Sequence, residues 1–405
     1  MSGQKIDFSS YDFIQRDKIN EFLKKMIAFG GSDLHVKAKS VIRARKDGKI
    51  HQFSGGIISA DDSRTLAKEI LKSDYVKFTE LKEYDTVHKF NEKYSFRVNF
   101  FFQKDGVSAV FRIIPTDIPS LDELNMPAVV KSFTQKERGL VLVTGITGSG
   151  KSTTLASMID EINRTKFKHI ITIEEPIEFT HKDRKCIINQ RSVGKDTLSF
   201  KAALKASLRE DPDIILVGEM RDRETVELAL HAADTGHLVF STLHTMDAKE
   251  TINRIVSYFP VDEQPRIRLS LANVIEGVIS QRLIPTEDKD GKVTGRRAAM
   301  EILVKTPTIE KLILENRDIE IPDVLESGRD HYHSQTFDQS ILDLYQEGVI
   351  SKQRAKDYAS SASDLELKMG GLTSTTDRKQ KEKDDILEIE DLNEVAEDDD
   401  FIGLK

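Results

Sequence analysis

The sequence predicts an α/β protein: a small α+β domain, then a larger domain with a mostly parallel sheet. Two observations carry this. Between about residues 135 and 260, short apolar runs alternate with stretches of helical periodicity, the order that builds parallel sheets. Before residue 115, strand-like segments follow one another with tight-turn residues between them, which favours antiparallel pairs. At 405 residues the chain is long enough for two or three domains, each with its own core.

The first element is a helix. Residues 17–29 place Ile19, Phe22, Leu23, Met26, Ile27 and Phe29 on one stripe, closed by Gly30-Gly31. Residues 32–36 and 41–45 read as strands, with Asp47-Gly48 as a turn, and 60–82 read as helices. Residues 94–103 and 107–114 flank Asp105-Gly106, a hairpin signal. Pro115, Pro119 and Pro127 mark a linker. In the second domain, strands are predicted at 140–144, 169–174, 213–217 and 237–243, with helices near 152–163, 198–209, 222–234 and 247–257. Residues 262–360 read as mostly helical, with a hairpin around 288–291. The tail from 371 is strongly charged and low in aromatics, and is expected to be disordered. The resulting division is an extension (1–16), a first domain (17–115), a linker (116–134), a core (135–285), a mostly helical C-terminal part (286–370) and an acidic tail (371–405).

Composition narrows the function classes. A net charge of −8 disfavours a broad nucleic-acid surface. No apolar run approaches the roughly 20 residues that span a bilayer, and Met1–Asp7 holds no apolar signal region, so no transmembrane segment and a cytoplasmic protein are expected. The single Cys186 can form neither an internal disulfide nor a cysteine metal cluster.

The strongest motif is Gly145-Ile-Thr-Gly-Ser-Gly-Lys-Ser152, set between the apolar run 139–144 and a helical segment. Strand, glycine-rich loop and helix together make a P-loop, whose backbone N–H groups and helix N-terminus cradle phosphate. Thr147, Gly148, Ser149, Gly150, Lys151, Ser152 and Thr153 are the residues assigned to nucleotide. Lys151 would reach the β/γ-phosphates, and Ser152 would bind Mg²⁺. Glu174, Glu175 and Glu178 cluster at the end of the 169–174 strand. There a carboxylate can orient or deprotonate water, or simply face solvent. The run 213–217 leads through Gly218 to Glu219, a candidate Walker-B acid that would hold Mg²⁺ through water. His237 begins the next strand and His244 ends it; the latter is a candidate γ-phosphate sensor. With Asp105-Gly106 as a two-residue turn, Arg97 and Arg112 become diagonal neighbours on one face. Like charges that close need solvent, a nearby carboxylate or a phosphate supplied in trans.

These motifs together resemble the type IV pilus retraction ATPases (the PilT and PilU type) of the secretion ATPase superfamily. The likeness rests on Gly-Gly-Ser-Asp-Leu-His (30–35), Phe-Arg-Val-Asn (96–99), Val-Phe-Arg (110–112), the P-loop and the acidic box (173–178). Further matches are Gly-Glu-Met-Arg-Asp (218–222), Thr-Gly-His-Leu-Val-Phe (235–240), Thr-Leu-His-Thr (242–245) and Gln-Thr-Phe-Asp-Gln-Ser (335–340). The resemblance implies a PAS-like N-terminal domain, a RecA-like ATPase domain and a ring of six. It implies that Glu174 is the catalytic base, Glu219 the Walker-B acid, and His237 and His244 a histidine box. It also implies that Arg97 and Arg112 face nucleotide, and that ATP and Mg²⁺ are the ligands. The implied partners are an inner-membrane pilus platform protein and a paralogous ATPase ring, with the chain peripheral to that membrane and no nucleic acid bound. Three departures stand out: Glu175 where the family has Asp, Thr308-Ile-Glu-Lys-Leu-Ile313 with charge reversed at Glu310, and the acidic tail, which reads first as a solvating segment, with Ile386, Leu387, Ile389 and Leu392 offering a short docking helix as the alternative. Alternatives are the accessory paralogue, an assembly or secretion ATPase, and a nucleotide-sensing scaffold with little hydrolysis.

Overall fold

The computed structural model describes residues 14–370 apart from 47, 92, 116 and 289. The expectations for the acidic tail, its docking helix included, and for residues 1–13 lie outside the described residues. The described residues fall into two compact units: those up to Pro119 together with Ile177–His181, and Ser120–Pro176 together with those from Lys182 on.

The first unit is built on an antiparallel sheet of β1 (Asp33–Lys37), β2 (Ser40–Lys46), β3 (Lys49–Ile58), β4 (Glu83–Lys89), β5 (Tyr94–Gln103) and β6 (Gly106–Pro115), in the order β3-β2-β1-β6-β5-β4. Alternation along the strands separates its two faces. Leu34, Val36, Ala44, Phe96, Val98, Phe100, Ala109 and Phe111 bury one face. They pack in one core with Leu23 and Met26 of helix Ile14–Phe29 and Leu66 of helix Ala60–Leu71. That second helix starts cleanly because Ser59 and Asp62 form a reciprocal capping box. Asp33, His35, Arg97 and Arg112 alternate with the core positions and so lie on the opposite face.

The hairpin register corrects the expected one. Gln103 pairs with Gly106, so the two turn residues are Lys104 and Asp105, and Gly106 (φ 133°) opens β6. Arg97 therefore stands directly opposite Arg112 rather than diagonal to it. Moving the turn by one residue moves the cross-strand pairing by two, which keeps both arginines on the same face.

The second unit carries β7 (Gly139–Thr144), β8 (His169–Glu174), β9 (Ile187–Ser192), β10 (Ile214–Val217), β11 (Leu238–Leu243), β12 (Ile275–Glu287) and β13 (Val293–Val304). Their order is β13-β12-β7-β11-β10-β8-β9. All neighbours run parallel except β13, an antiparallel edge. Alternate strand residues feed two cores. Leu140, Leu142, Ile171, Ile215 and Val239 pack with helices Arg223–Asp234, Ala248–Ser257 and Gln264–Val274, while Val141, Val143, Ile170, Leu216 and Phe240 pack with helix Lys151–Thr165. Within 262–360 the expected hairpin is present among helices, with arms longer than the turn alone announced: β12 and β13 take up 13 and 12 residues around it. Beyond them, Gln335 forms an isolated bridge with Ile302 on the outer side of β13.

Candidate active site

β7 is buried at all six positions and delivers the loop from inside the sheet. Its last residue, Thr144, hydrogen-bonds the Ser280 hydroxyl of β12 at 2.9 Å. The loop then turns on Gly145 (φ 139°), Gly148 (81°) and Gly150 (96°). At Gly145 a Cβ would lie 2.5 Å from the Gln281 carbonyl oxygen and from Ser149 Oγ, so space as well as φ demands glycine. Lys151 opens the helix, and its ammonium donates to the carbonyls of Gly145 (2.7 Å) and Ile146 (3.1 Å), which sets a cation inside the loop. Ser149 Oγ is buried without a hydrogen-bond partner among the described residues. Thr147 is exposed, and Ser152 and Thr153 are half-buried in the first helical turn. A glycine nest, an internal cation and an orphaned hydroxyl are chemically suited to a polyphosphate.

The parallel register aligns Leu142 with Ser241, Ser241 with Val217, and Val217 with Ile173. The carboxyl ends of β7, β11, β10 and β8 thus fall in a row about 14 Å wide. Beyond those ends come the P-loop, His244, Glu219 and Glu174 in spatial order. Thr242 Oγ1 donates to the Gly218 carbonyl at 2.6 Å, which pins the turn that presents Glu219. Gly218 itself passes close to β8: a Cβ there would meet the Ile173 oxygen at 3.1 Å.

Four of these side chains form one polar chain. Glu219 accepts from Arg221 Nε at 2.8 Å and lies 3.4 Å from His244 Nε2. Arg221 Nη1 also donates to Glu175 at 3.0 Å. The Glu219 carboxylate, with Glu175 adding to it, pushes the Arg221 guanidinium still further above its usual range. Glu174 is held separately: its Oε1 accepts from Thr172 Oγ1 (2.7 Å) and Gln190 Nε2 (3.3 Å). Thr172 and Gln190 are direct partners across β8 and β9. The arrangement can grip a polyphosphate at one end of the row and present a carboxylate to water at the other.

Other expected residues lie apart from this row. His237 sits at the amino end of β11, seven residues and about 23 Å of extended chain from His244. There its Nδ1 hydrogen-bonds the Ala232 carbonyl at 2.9 Å. Glu178 is exposed, in the segment that groups with the first unit. Arg97 and Arg112 resolve their mutual repulsion with carboxylates of their own sheet, Asp85 at 3.5 Å and Asp33 at 2.7 Å. Sequence reasoning did not single out Arg221, Thr172, Gln190, Ser280 or Gln281. Arg221 stood inside a quoted motif and was legible by its charge beside an acid. Gln281, which donates to Thr154 Oγ1 at 2.9 Å beneath the loop, carries no local signal.

Comparison with known proteins extends these observations beyond the loop. Residues 9–356 match the family described as type II/IV secretion system protein. The type IV pilus retractation ATPase PilT of Pseudomonas aeruginosa is 45% identical over 342 residues, 84% of this chain and 98% of that protein. The type IV pilus ATPase PilU of the same organism is 36% identical over 356 residues, 86% of this chain and 91% of that protein. A crystal structure of the pilus retraction motor PilT with bound ADP superposes with a TM-score of 0.78 at 43% identity, covering 86% of this chain and 98% of that one. A P-loop alone is shared by many unrelated ATPases. A match that runs through both units shows that the chain belongs to the type II/IV secretion system protein family.

Proposed function

We propose that this chain is an ATPase motor that drives type IV pilus retraction. The observation that carries the reading is the 45% identity to PilT across nearly all of that protein. On this reading the first unit is a PAS-like domain and the second a RecA-like domain. Six copies form a ring at the cytoplasmic face of the inner membrane and act on a pilus platform protein. Among the described residues, no helix is long and apolar enough to cross a membrane.

Lys151 and the loop N–H groups hold the β- and γ-phosphates. Ser152 and Glu219 would hold Mg²⁺, which would supply charge neutralisation on the phosphate oxygens. Glu174 orients and deprotonates the attacking water, held by Thr172 and Gln190. His244 reads the γ-phosphate and reports to Glu219, 3.4 Å away. Glu175 shares Arg221 with Glu219 and supports the acid row. Arg97 and Arg112 supply charge to nucleotide on a neighbouring copy, each exchanging its aspartate for phosphate. Glu178 and His237 act outside the row, in coupling rather than hydrolysis.

A second reading, an accessory motor that works beside a paralogous ring, rests on segment 308–313, since the 36% identity to PilU is below the 45% to PilT. In the helix Pro307–Leu314, Ile309, Leu312 and Ile313 are buried. The reversed charge at Glu310 lies outside that buried set, where a different partner would read it. Two measurements decide. Phosphate release by the purified chain, with platform protein supplied, separates a motor from a scaffold: a folded ring that hydrolyses nothing would sink the motor. A deletion strain scored for surface pili separates directions. Pili should accumulate; their absence would mean assembly, and an unchanged count an accessory role.

A further inference from the structure

Glu301, in the last third of β13, is a buried carboxylate that the proposed chemistry does not use; only 7% of it is exposed. Its Oε1 accepts a hydrogen bond from the Ala248 N–H at 2.8 Å. Ala248 is the first residue of helix Ala248–Ser257, three residues after the turn that begins at His244 and Thr245.

The other hydrogen bonds of this turn are internal to it. Thr245 Oγ1 bonds Thr251 Oγ1 at 2.7 Å, with both side chains buried. The Met246 N–H donates to Glu250 at 2.8 Å, and Asp247 caps the helix by accepting from the Glu250 N–H at 2.7 Å. Together they make the turn and the helix start one rigid piece. Among the hydrogen bonds described for residues 245–248, the one to Glu301 ties that piece to another part of the sheet. Glu301 pairs across β12 with Ser280, which in turn bonds Thr144 at the root of the P-loop. Directly paired residues put their side chains on one face, so Thr144, Ser280 and Glu301 stand in a row across β7, β12 and β13, between the root of the P-loop and the histidine turn.

We propose that Glu301 is a positioning residue for ATP hydrolysis: its carboxylate anchors the His244 turn in register with the P-loop. This rests on the reading of His244 as a phosphate sensor. The carboxylate is also poised to vary with pH. Burial pushes its pKa up to about 7; the Ala248 N–H opposes this, Asp247 adds to it, and Arg282 and Lys249 oppose it. Arg282 is itself shared with Asp338 of helix Phe337–Gln346. Above pH 7 the anchor is an anion facing the positive end of a helix; below it, a neutral acid with a weaker hold.

The test compares wild type, Glu301→Gln, Glu301→Leu and His244→Ala as full-length protein. Two quantities are read: amide hydrogen exchange across 244–251, and ATP turnover from pH 6 to 9. Glu301→Leu should lose protection at 245–248 and lower kcat about tenfold or more, with KM for ATP held within about twofold. Glu301→Gln keeps an acceptor oxygen, so it should retain most protection but lose the step in kcat near pH 7. Unchanged protection in Glu301→Leu, or an intact pH step in Glu301→Gln, overturns the proposal. Normal turnover in His244→Ala alongside lost protection in Glu301→Leu would uphold the anchor and reject only the histidine's role.

Discussion

At the scale of the residue, the site is a set of carboxylates given different surroundings. Glu174 sits between two donors at the tip of β8 and Glu219 is tied to a guanidinium and a histidine, whereas Glu301 is buried under a helix start. Glu174→Gln should keep nucleotide binding and lower hydrolysis about 100-fold or more, the usual contribution of a general base. Equilibrium nucleotide binding and phosphate release check this, and near-normal turnover would pass the role to Glu175. Glu301 makes a prediction about stability. Unfolded, it titrates near its usual 4.5; folded, near 7. Between these values the folded state holds the extra proton, so stability falls as pH rises through the window and is lowest above it. The rise corresponds to a cost of about 3 kcal/mol at alkaline pH. Thermal unfolding should therefore show Glu301→Gln gaining on wild type more at pH 8 than at pH 5. An equal gap at both pH values would mean that the carboxylate carries no such cost.

At the scale of the element, what could be read from sequence depended on whether burial was one-sided or complete. β7, β10 and β11 are buried throughout, and their unbroken apolar runs announce them. β9, at the sheet edge, holds Ile187-Ile-Asn-Gln-Arg-Ser192 with no fully buried position, and nothing local marks it as a strand. β12 follows helix Gln264–Val274 without an intervening turn, so its apolar residues read as a continuation of the helix. The hairpin register was missed because Asp-Gly is a turn signal, yet here Gly106 begins the strand. The P-loop and the acid tips were legible as motifs, whereas the hydroxyl and amide groups that hold them come from strands distant in sequence. The Thr144–Ser280 contact shows how much such a hidden pair matters. Ser280→Ala alone leaves a buried hydroxyl unmatched and should cost about 1–3 kcal/mol. Pairing it with Thr144→Val should recover much of that loss in a double-mutant cycle by denaturant unfolding. Additive losses would mean that the two hydroxyls do not act on each other.

At the scale of the whole molecule, the two opposed arginines make the ring hypothesis testable. Arg97→Ala subunits and Lys151→Ala subunits, each inactive alone, should regain hydrolysis when mixed, because some interfaces then combine an intact loop with intact arginines. Mixed rings confirmed by mass, with no activity at any ratio, would count against a contribution across subunits. The outer edge of β13 bears on how such copies meet. The N–H and carbonyl of Ile302 are both taken by Gln335, at 2.8 and 3.1 Å. The N–H of Met300 is taken by Ser340 Oγ at 3.1 Å, and its carbonyl by Gln335 Nε2 at 3.0 Å. Four consecutive outward-facing backbone groups are thus occupied by the chain's own C-terminal segment. A seven-stranded sheet with that margin sealed offers no template there for a strand from another copy. Growth by sheet extension, which has no natural end and yields fibres, is blocked along this stretch. Along this stretch any contact between copies is left to side-chain surfaces, whose geometry can close on itself after a fixed number of subunits.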